Sequence, residues 1–293
     1  GASLYIEPGV EIMFNGFYTF RVECVLNAVG TMSDMIRFAS SPENNSTRRG
    51  DWEGIIFANP NQRSLMEYCE VEDGALYVDG TEEYKGSITC VNSSPVIRKC
   101  LILDNGYNGI HADLGSHPLI EACTLVGNAF SGVMCDSGSS PYIRNTIIVS
   151  NDDYGVFVYS ADSVGVQHAA PRIEYCNIWD NFTTDTYGVD FDTVGFFRGN
   201  ISLDPKFADP DNDNYQLLSH SPCIDIGDPS LPQDPDGTPI DMGAFFYNQA
   251  DPSEIRSDLG EKYDRITAEH SPYLVTSDIW LDAGDTLIID PGV

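Results

Sequence analysis

The 293-residue sequence predicts an all-β fold, a parallel β-helix solenoid built from repeating coils of about 23 residues. First, a glycine recurs at one constant spacing at four successive positions. Second, the segments between these glycines are short, rich in β-branched and aromatic residues, and alternate apolar with polar residues as strands do. A coil of three short strands, stacked on the next coil at about 4.8 Å, accounts for both observations. The recurring glycines are Gly86, Gly109, Gly132 and Gly155.

A second recurring phrase sets the register of the coils. A proline lies nine residues after each of the first three glycines and begins a short recurring segment. This segment occurs once more after an insertion of seven residues. Two residues after each proline comes an isoleucine, which we expect to point inward and to stack on its equivalents in neighbouring coils. Ser64 to Cys69 is a degenerate earlier copy. The prolines are Pro95, Pro118, Pro141 and Pro171, and the isoleucines are Ile97, Ile120, Ile143 and Ile173.

This register resembles the pectin-lyase-like right-handed parallel β-helix family, in the form rich in short parallel β-helix repeats. The opening phrases Pro8 to Ile12 and Trp52 to Ile55 also resemble the start of surface proteins of that family. The resemblance covers about residues 1–247 and implies a right-handed column. It implies little about activity, because the fold serves lyases, hydrolases, adhesins and fibres alike.

One position of the phrase carries a cysteine in four coils and a threonine in another. A ladder of disulfides between coils and a column of small buried thiols are both compatible with this pattern. We favour the thiols, because in-register side chains point the same way and a disulfide needs a specific dihedral angle. The residues are Cys69, Cys100, Cys123, Thr146 and Cys176.

An asparagine follows each of the four prolines at the same spacing. Stacked asparagines at turns can bond side chain to side chain along the axis, so a structural ladder is favoured over a ligand site. The four residues are Asn105, Asn128, Asn151 and Asn181.

The chain ends as it begins, since residues 284–293 repeat residues 1–10 with six identities. A solenoid that continues through a tandem copy or a neighbouring subunit needs this register, and a boundary inside a longer repetitive protein would also produce it. Both interpretations predict an array. The strands expected to meet in assembly contain Leu287, Ile288 and Ile289 at one end and Leu4, Tyr5 and Ile6 at the other.

We predict three segments. Residues 1–247 form the β-helix, in which 200–247 departs from the period, resembles the closing segment of surface β-helices and is expected to terminate the column. Residues 248–272 carry six acidic residues and few large apolar groups, as an acidic linker would. Residues 273–293 begin a further coil, whose strands would pair with a neighbour because an open β-helix leaves unpaired backbone groups at its ends.

The charge balance excludes several partners. Asp and Glu number 45 against 15 Lys and Arg, a net charge of −30. This argues against nucleic acid and anionic membranes, and leaves divalent cations and neutral glycans as small partners. No apolar run is long enough to insert into a bilayer, and no signal peptide opens the chain, so we expect a mature or internal fragment. Sequons at Asn44, Asn45, Asn92, Asn181 and Asn200 suit an extracellular or cell-surface location.

Two acidic clusters predict calcium as the one plausible cofactor. Asp209, Asp211 and Asp213 alternate along one segment and offer the oxygen ligands that a hard cation takes. This segment lacks the Gly and the distal Glu of an EF-hand loop, and an ordinary acidic turn explains it as well. The second cluster consists of Asp234, Asp236 and Asp241.

The sequence supports a catalytic function less strongly than it supports calcium binding. The resemblance implies that lyases of this fold hold calcium with acidic residues beside an Arg or Lys base on an outer face. Asp113 and Asp136 lie one period apart with His111 nearby, and paired carboxylates across coils could serve a glycosidase or bind calcium. No recognisable catalytic motif joins them, and a solvated corner explains them equally. The basic candidates are Arg98, Lys99 and Arg144.

The function we predict is therefore structural: a repeat unit or subunit of an extracellular fibre, sheath or adhesin stalk that assembles head to tail with copies of itself. The alternative is a surface β-helix protein that binds glycans or acts on polysaccharides as a lyase or hydrolase. Aromatic residues aligned on one face could stack on sugars. The candidates are Tyr107, Phe130, Tyr142, Tyr154, Tyr159 and Tyr187.

Overall fold

The column consists of three parallel sheets of seven strands each, so that seven coils contribute one strand to every sheet. The structure is a computed structural model, and it describes residues 2–43, 50–60, 63–75, 86–136, 138–159, 169–189, 198–249, 253–255, 265–266, 273–275, 287–289 and 291. The sequons at Asn44 and Asn45 and most of the loop between Tyr159 and Pro171 lie outside these residues. Within the described ranges no helix has the length and apolar character needed to cross a bilayer.

The strands follow one another around the coil, and strands of one sheet stack along the axis. The first sheet contains β1 (Ser3–Ile6), β4 (Val25–Val29), β7 (Leu65–Glu67), β10 (Val96–Arg98), β13 (Leu119–Glu121), β16 (Tyr142–Arg144) and β19 (Arg172–Glu174). The second contains β2 (Glu11–Phe14), β5 (Ile36–Ser40), β8 (Cys69–Glu72), β11 (Leu101–Leu103), β14 (Thr124–Val126), β17 (Ile147–Val149) and β20 (Asn177–Trp179). The third contains β3 (Thr19–Val22), β6 (Gly54–Phe57), β9 (Gly86–Val91), β12 (Asn108–Asp113), β15 (Ser131–Cys135), β18 (Tyr154–Val158) and β21 (Thr184–Tyr187).

The predicted register is confirmed in the first sheet. Ile97 pairs with Ile120, Ile120 with Ile143 and Ile143 with Ile173, and all four side chains are fully buried. The degenerate early copy keeps the same register, because Met66 pairs with Ile97. These stacks form one continuous apolar core along the axis.

The recurring glycines are a steric requirement of the coil spacing. A Cβ added to Gly109 would lie 2.8 Å from the carbonyl oxygen of Gly132, and one added to Gly132 would lie 3.0 Å from that of Gly155. The backbone of the next coil therefore passes too close for a side chain at these two positions. Gly86 does not share their register, because it pairs with Asn108 and not with Gly109.

The cysteine column consists of thiols. Cys69, Cys100, Cys123 and Cys176 are fully buried, and all eight cysteines of the chain are free. Burial raises the pKa of the Cys100 and Cys123 thiols well above the ordinary value, so both stay protonated and packed as small apolar groups.

The closing segment lies against the side of the column. After Ile201, which bridges to Asn177 and so continues the second sheet briefly, the chain forms an antiparallel hairpin and runs back along that sheet. There Met242 and Phe245 help to bury the outward side chains of Leu101 and Ile147 in a second apolar cluster. The sequence analysis expected a terminus at the end of the column, whereas most of the segment covers a flank. The hairpin strands are β22 (Phe207–Asp209) and β23 (Asn214–Leu217), joined through the 3-10 helix Pro210–Asn212.

Four further strands follow near the C terminus of the chain. They form two parallel pairs, β24 with β26 and β25 with β27. Their bounds are β24 (Ser253–Ile255), β25 (Arg265–Ile266), β26 (Tyr273–Val275) and β27 (Ile288–Ile289).

Candidate functional site

The N-terminal end of the column carries three open strand edges, because β1, β2 and β3 are the outermost strands of their sheets. Apolar side chains of this first coil lie in solvent. Tyr5 is 72% exposed and Tyr18 is 62% exposed, and Leu4 and Phe17 are exposed beside them. In the described part of the chain no strand pairs with these outer edges. An apolar, unpaired edge is a template for another strand.

The backbone groups of β1 alternate between the column and the open edge. The carbonyl of Ala2 accepts a hydrogen bond from the amide of Val25 in β4, and the pairing is parallel. In a parallel ladder each residue directs its N–H and C=O to one side and the next residue directs them to the other. Leu4 therefore bonds to β4, as Ala2 does, whereas Tyr5 directs both backbone groups to the open edge.

The opposite end of the column is partly covered. The amide of Tyr175 donates to the carbonyl of Arg198 over 2.9 Å. The side chain of Asn200 donates to the carbonyl of Ile173 over 2.9 Å and accepts from the amide of Cys176 over 2.8 Å. The two ends thus differ in chemistry, one open and apolar and the other closed by hydrogen bonds over part of its edge.

The C-terminal strands repeat the geometry of the column. Arg265 pairs with Ile288 and Ile266 with Ile289, and the offset of these pairs equals that between Gly109 and Gly132. β24 and β25 lie within 248–272, the range predicted as an acidic linker, most of which is outside the described residues. These strands were not predicted from the sequence, and β24 pairs with β26 at an offset shorter than the glycine spacing, since Ser253 lies beside Tyr273.

The two predicted assembly segments lie in different pairings. Leu4, Tyr5 and Ile6 belong to β1, which pairs with β4, and Ile6 is buried. In the other segment Leu287 is half-buried and precedes β27, while the side chains of Ile288 and Ile289 are exposed.

The first acidic cluster lies on one turn beside the hairpin. Asp211 and Asp213 are exposed, and the carboxylate of Asp209 accepts a hydrogen bond from the Asn212 side chain over 2.9 Å. The amide of Asp213 donates to the carbonyl of Pro210, which closes the turn. Calcium at this turn stays a prediction.

The second acidic cluster holds together the loop that ends the closing segment. Asp241 is 3% exposed and accepts hydrogen bonds from the amides of Asp225 and Tyr247, each over 2.7 Å. Asp234 accepts from the amide of Asp241 over 2.8 Å. Burial raises the pKa of Asp241 to about 7 despite these hydrogen bonds. The observed contacts of this cluster are structural, and calcium here is likewise still a prediction.

A third group has the most compact arrangement of possible metal ligands among the described residues. Ligand atoms of His111, Asp113 and Asp136 all lie within 4.8 Å of one another. His111 and Asp113 share one face of β12, and Asp136 follows the strand that pairs with it, since Ala112 pairs with Cys135. The structure therefore brings together Asp113 and Asp136, which lie one period apart in the sequence, with His111. An imidazole and two carboxylates are ligands that a divalent cation accepts.

The basic candidates for a lyase lie on a different sheet from this group. Arg98 forms an ion pair with Glu67 over 2.7 Å, and Arg144 forms one with Glu121. Lys99 lies over an aromatic ring at 5.0 Å from its centroid. These three side chains belong to β10, β16 and the turn after β10, whereas His111 lies on β12 of the third sheet.

Five aromatic rings form a stripe along the third sheet. Tyr154 and Tyr187 lie 5.5 Å apart, and Tyr187, the outermost, is 53% exposed. Phe157 joins the stripe although the sequence analysis did not name it, while Tyr142 lies on the first sheet beneath Arg172. The rings of the stripe are Tyr107, Phe130, Tyr154, Phe157 and Tyr187, each within 5.5 Å of a neighbour.

Comparison with known proteins agrees with this architecture. The family model described as "right handed beta helix region" matches residues 40–201, from the end of β5 to the bridge at Ile201. No curated protein and no solved structure matches the chain. The matched span covers more than half of the sequence and includes the stacked strands from β6 to β21. The chain belongs to the right-handed β-helix family.

Proposed function

We propose that the chain is a structural repeat unit of an extracellular fibre, sheath or adhesin stalk that assembles head to tail. One observation carries the proposal: the first coil presents three open strand edges together with exposed apolar side chains. A second copy, whether a tandem repeat in one polypeptide or a separate subunit, would pair these edges and cover those side chains.

The difference between the two ends supports a linear array. Because the N-terminal end is open and the other end is partly covered, contact between them joins unlike surfaces and need not close into a ring. The net charge of −30 supports the same geometry, since columns of like charge repel one another side by side.

Sedimentation velocity and negative-stain electron microscopy test the proposal. We expect the chain to associate end to end as its concentration rises, and the double variant Tyr5→Asp, Tyr18→Asp to remain monomeric because it places charge on the apolar end. Tyr159→Asp is the matched control, since Tyr159 is an exposed aromatic away from that end. Monomers at every concentration, or equal association of the double variant, would overturn the proposal.

The aromatic stripe supports a second candidate, binding of a neutral glycan. Rings aligned along successive coils offer stacking surfaces to a linear sugar chain, and the acidic surface disfavours acidic glycans. A glycan array followed by calorimetry tests this candidate. Tyr187→Ala should weaken binding at least tenfold, whereas Tyr18→Ala, at the N-terminal end, should leave it unchanged. Absence of any bound neutral glycan would remove the candidate.

A further inference from the structure

We infer that β27 holds the place of β1 from a second copy, and that β25 of one copy accepts β1 of another with Arg265 beside Tyr5 and Ile266 beside Ile6. This inference rests on the proposed head-to-tail array and specifies which strands meet in it.

The first step is the alignment of the two ends of the chain. Residues 284–293 align with residues 1–10 without a gap, which places Ile288 on Tyr5 and Ile289 on Ile6. β27 and the second half of β1 are therefore the same strand of two successive copies.

The second step is the neighbour that each of these strands has. β27 pairs with β25, so that Arg265 lies beside Ile288. β1 pairs on its other side with β4, so that Tyr5 lies beside Asn27. Superposing the two equivalent strands gives the order β25, β1, β4. The offset from Arg265 to Ile288 equals the glycine period, and the offset from Tyr5 to Asn27 is one residue shorter. Both are ordinary coil lengths for this column.

The third step is the direction of the backbone groups. Tyr5 directs its N–H and C=O to the open edge of β1, as the alternation along the strand requires. In the transferred register the amide of Ile266 donates to the carbonyl of Tyr5. The transferred pairing therefore uses the backbone groups of Tyr5 that do not bond to β4.

The consequence is a competition within each molecule. β25 has one edge for this strand, and β27 of its own chain occupies it. A second copy can insert β1 only when β27 leaves, in an exchange of equivalent elements like a domain swap. Because a tethered strand acts at an effective concentration near the millimolar range, β27 should suppress association between separate chains.

Three lengths of the chain test this exchange by sedimentation velocity: residues 1–293, 1–283 and 1–247. The 1–283 chain lacks β27 and retains β25, so it should associate at a concentration at least tenfold lower than the full chain. The 1–247 chain lacks all four C-terminal strands and should remain monomeric. Circular dichroism of each chain verifies that the column is folded.

A single substitution tests the edge of β1 in the 1–283 chain. Tyr5→Pro removes the amide that points to the open edge and leaves the hydrogen bonds between β1 and β4 in place, so association should be lost. Tyr5→Val is the matched control, because it retains the amide and should keep association within a few-fold of the 1–283 chain.

Cross-linking tests the register. In the 1–283 chain carrying Cys24→Ser, a bifunctional maleimide should join Tyr5→Cys of one copy to Arg265→Cys of another. Tyr5→Cys combined with Ile255→Cys should give little product. Equal yields from the two pairs would contradict the register.

The outcomes separate the inference from the proposed function. If the full chain associates and the 1–283 chain associates no better, the exchange of β27 is wrong while the array stands. If both chains associate and the 1–283 chain does so at a concentration at least tenfold lower, both hold; if the 1–283 chain associates and the full chain stays monomeric at every concentration, the exchange of β27 holds and the proposed function of the full chain fails. If all three chains remain monomeric, both fail.

Discussion

The side chain of Asn128 donates a hydrogen bond to the side-chain oxygen of Asn151, one coil further along the axis, over 2.9 Å. Asn105 makes the same bond to Asn128 over 2.9 Å, and Asn151 makes it to Asn181 over 2.8 Å. Asn151 also accepts from the backbone amide of Asn128 over 3.1 Å. The ladder predicted from the sequence is confirmed, and it satisfies polar groups at a buried turn. It also engages the side chain of Asn181, one of the predicted sequons.

Removing one asparagine side chain from the ladder should destabilise the column. Asn151→Ala removes the side-chain oxygen that accepts from both the side chain and the backbone amide of Asn128, and we expect a loss of about 1–3 kcal/mol in the free energy of unfolding. Urea denaturation measures it. Asn212→Ala, on the exposed turn, should change the free energy by less than about 0.5 kcal/mol. Equal losses for the two variants would contradict the structural role of the ladder.

The glycine period gives a second prediction. In Gly132→Ala the new methyl group would lie 2.5 Å from Cγ2 of Ile148, so the coils must separate locally. We expect a loss of about 1–3 kcal/mol or more. The control is Gly115→Asn, because a side chain at Gly115 meets nothing within 4 Å and asparagine tolerates its φ of 72°. A tolerated Gly132→Ala would show that the coil spacing does not require glycine.

A left-handed residue between the first and second sheets gives a stabilising prediction. Ala122 has φ of 50°, a conformation that costs a residue with a Cβ about 1 kcal/mol and glycine almost nothing. Ala122→Gly should therefore raise the free energy of unfolding by about 0.5 kcal/mol once the entropy of glycine is subtracted. Ala112→Gly, inside β12, should lower it by about 1 kcal/mol. The account of this turn fails if urea denaturation shows both variants equally destabilised.

Asp241 should make stability depend on pH. Burial raises its pKa from 3.8 to about 7, so the folded protein binds the proton more tightly than the unfolded chain. Its contribution is then fully present below about pH 4 and is lost as pH rises through about 7. Asp241→Asn should flatten this decline, as measured by urea denaturation between pH 4 and 8.

Asp236 is the matched control with the opposite sign. Burial alone would raise its pKa, but hydrogen bonds from Gln249 and Thr238 outweigh burial and lower it. Its contribution is present above the ordinary pKa and is lost as pH falls, so Asp236→Asn should affect stability in acid. Burial also raises the pKa of Glu72 to about 7 and that of Asp73 to about 6, so part of the decline should remain in Asp241→Asn, and an undiminished decline would contradict the assignment.

Calcium binding at the two acidic clusters remains to be measured. If either holds calcium, scanning calorimetry should show a melting temperature that rises with calcium concentration, because a ligand of the folded state stabilises it. Asp211→Asn and Asp234→Asn should each reduce the rise, whereas Asp180→Asn, at an exposed residue of neither cluster, should not. An unchanged melting temperature in the parent protein would remove calcium from the account.

The sequence was most informative where the coils repeat without interruption. From Pro95 to Gly155 the positions of glycine, isoleucine and asparagine are dictated by coil spacing, core packing and turn geometry, so the register could be predicted directly. The first coils lack this regularity, because β2 pairs with β5 and β3 with β6 at offsets longer than the glycine period. The period of these first coils could therefore not be predicted from the sequence.

The position of the closing segment could not be read from its own residues. A clue lay in the column, where β11 and β17 are apolar at all three positions, Leu101 to Leu103 and Ile147 to Val149. A strand that is apolar on both faces is covered on both faces. The similarity between the two ends of the chain could be predicted from the sequence. The strand β25 could not, because it lies in a range whose composition suggested a linker.

Hydrogen exchange at two adjacent amides, Leu4 and Tyr5, tests the central claim most directly. The Leu4 amide bonds to β4 and should be protected in dispersed and in assembled 1–283 chains alike. The Tyr5 amide should exchange rapidly in dispersed chains and become protected on assembly, since it then bonds to the strand of a second copy. If the Tyr5 amide exchanges as fast in assembled material as in dispersed chains, the edge of β1 is not where the copies meet.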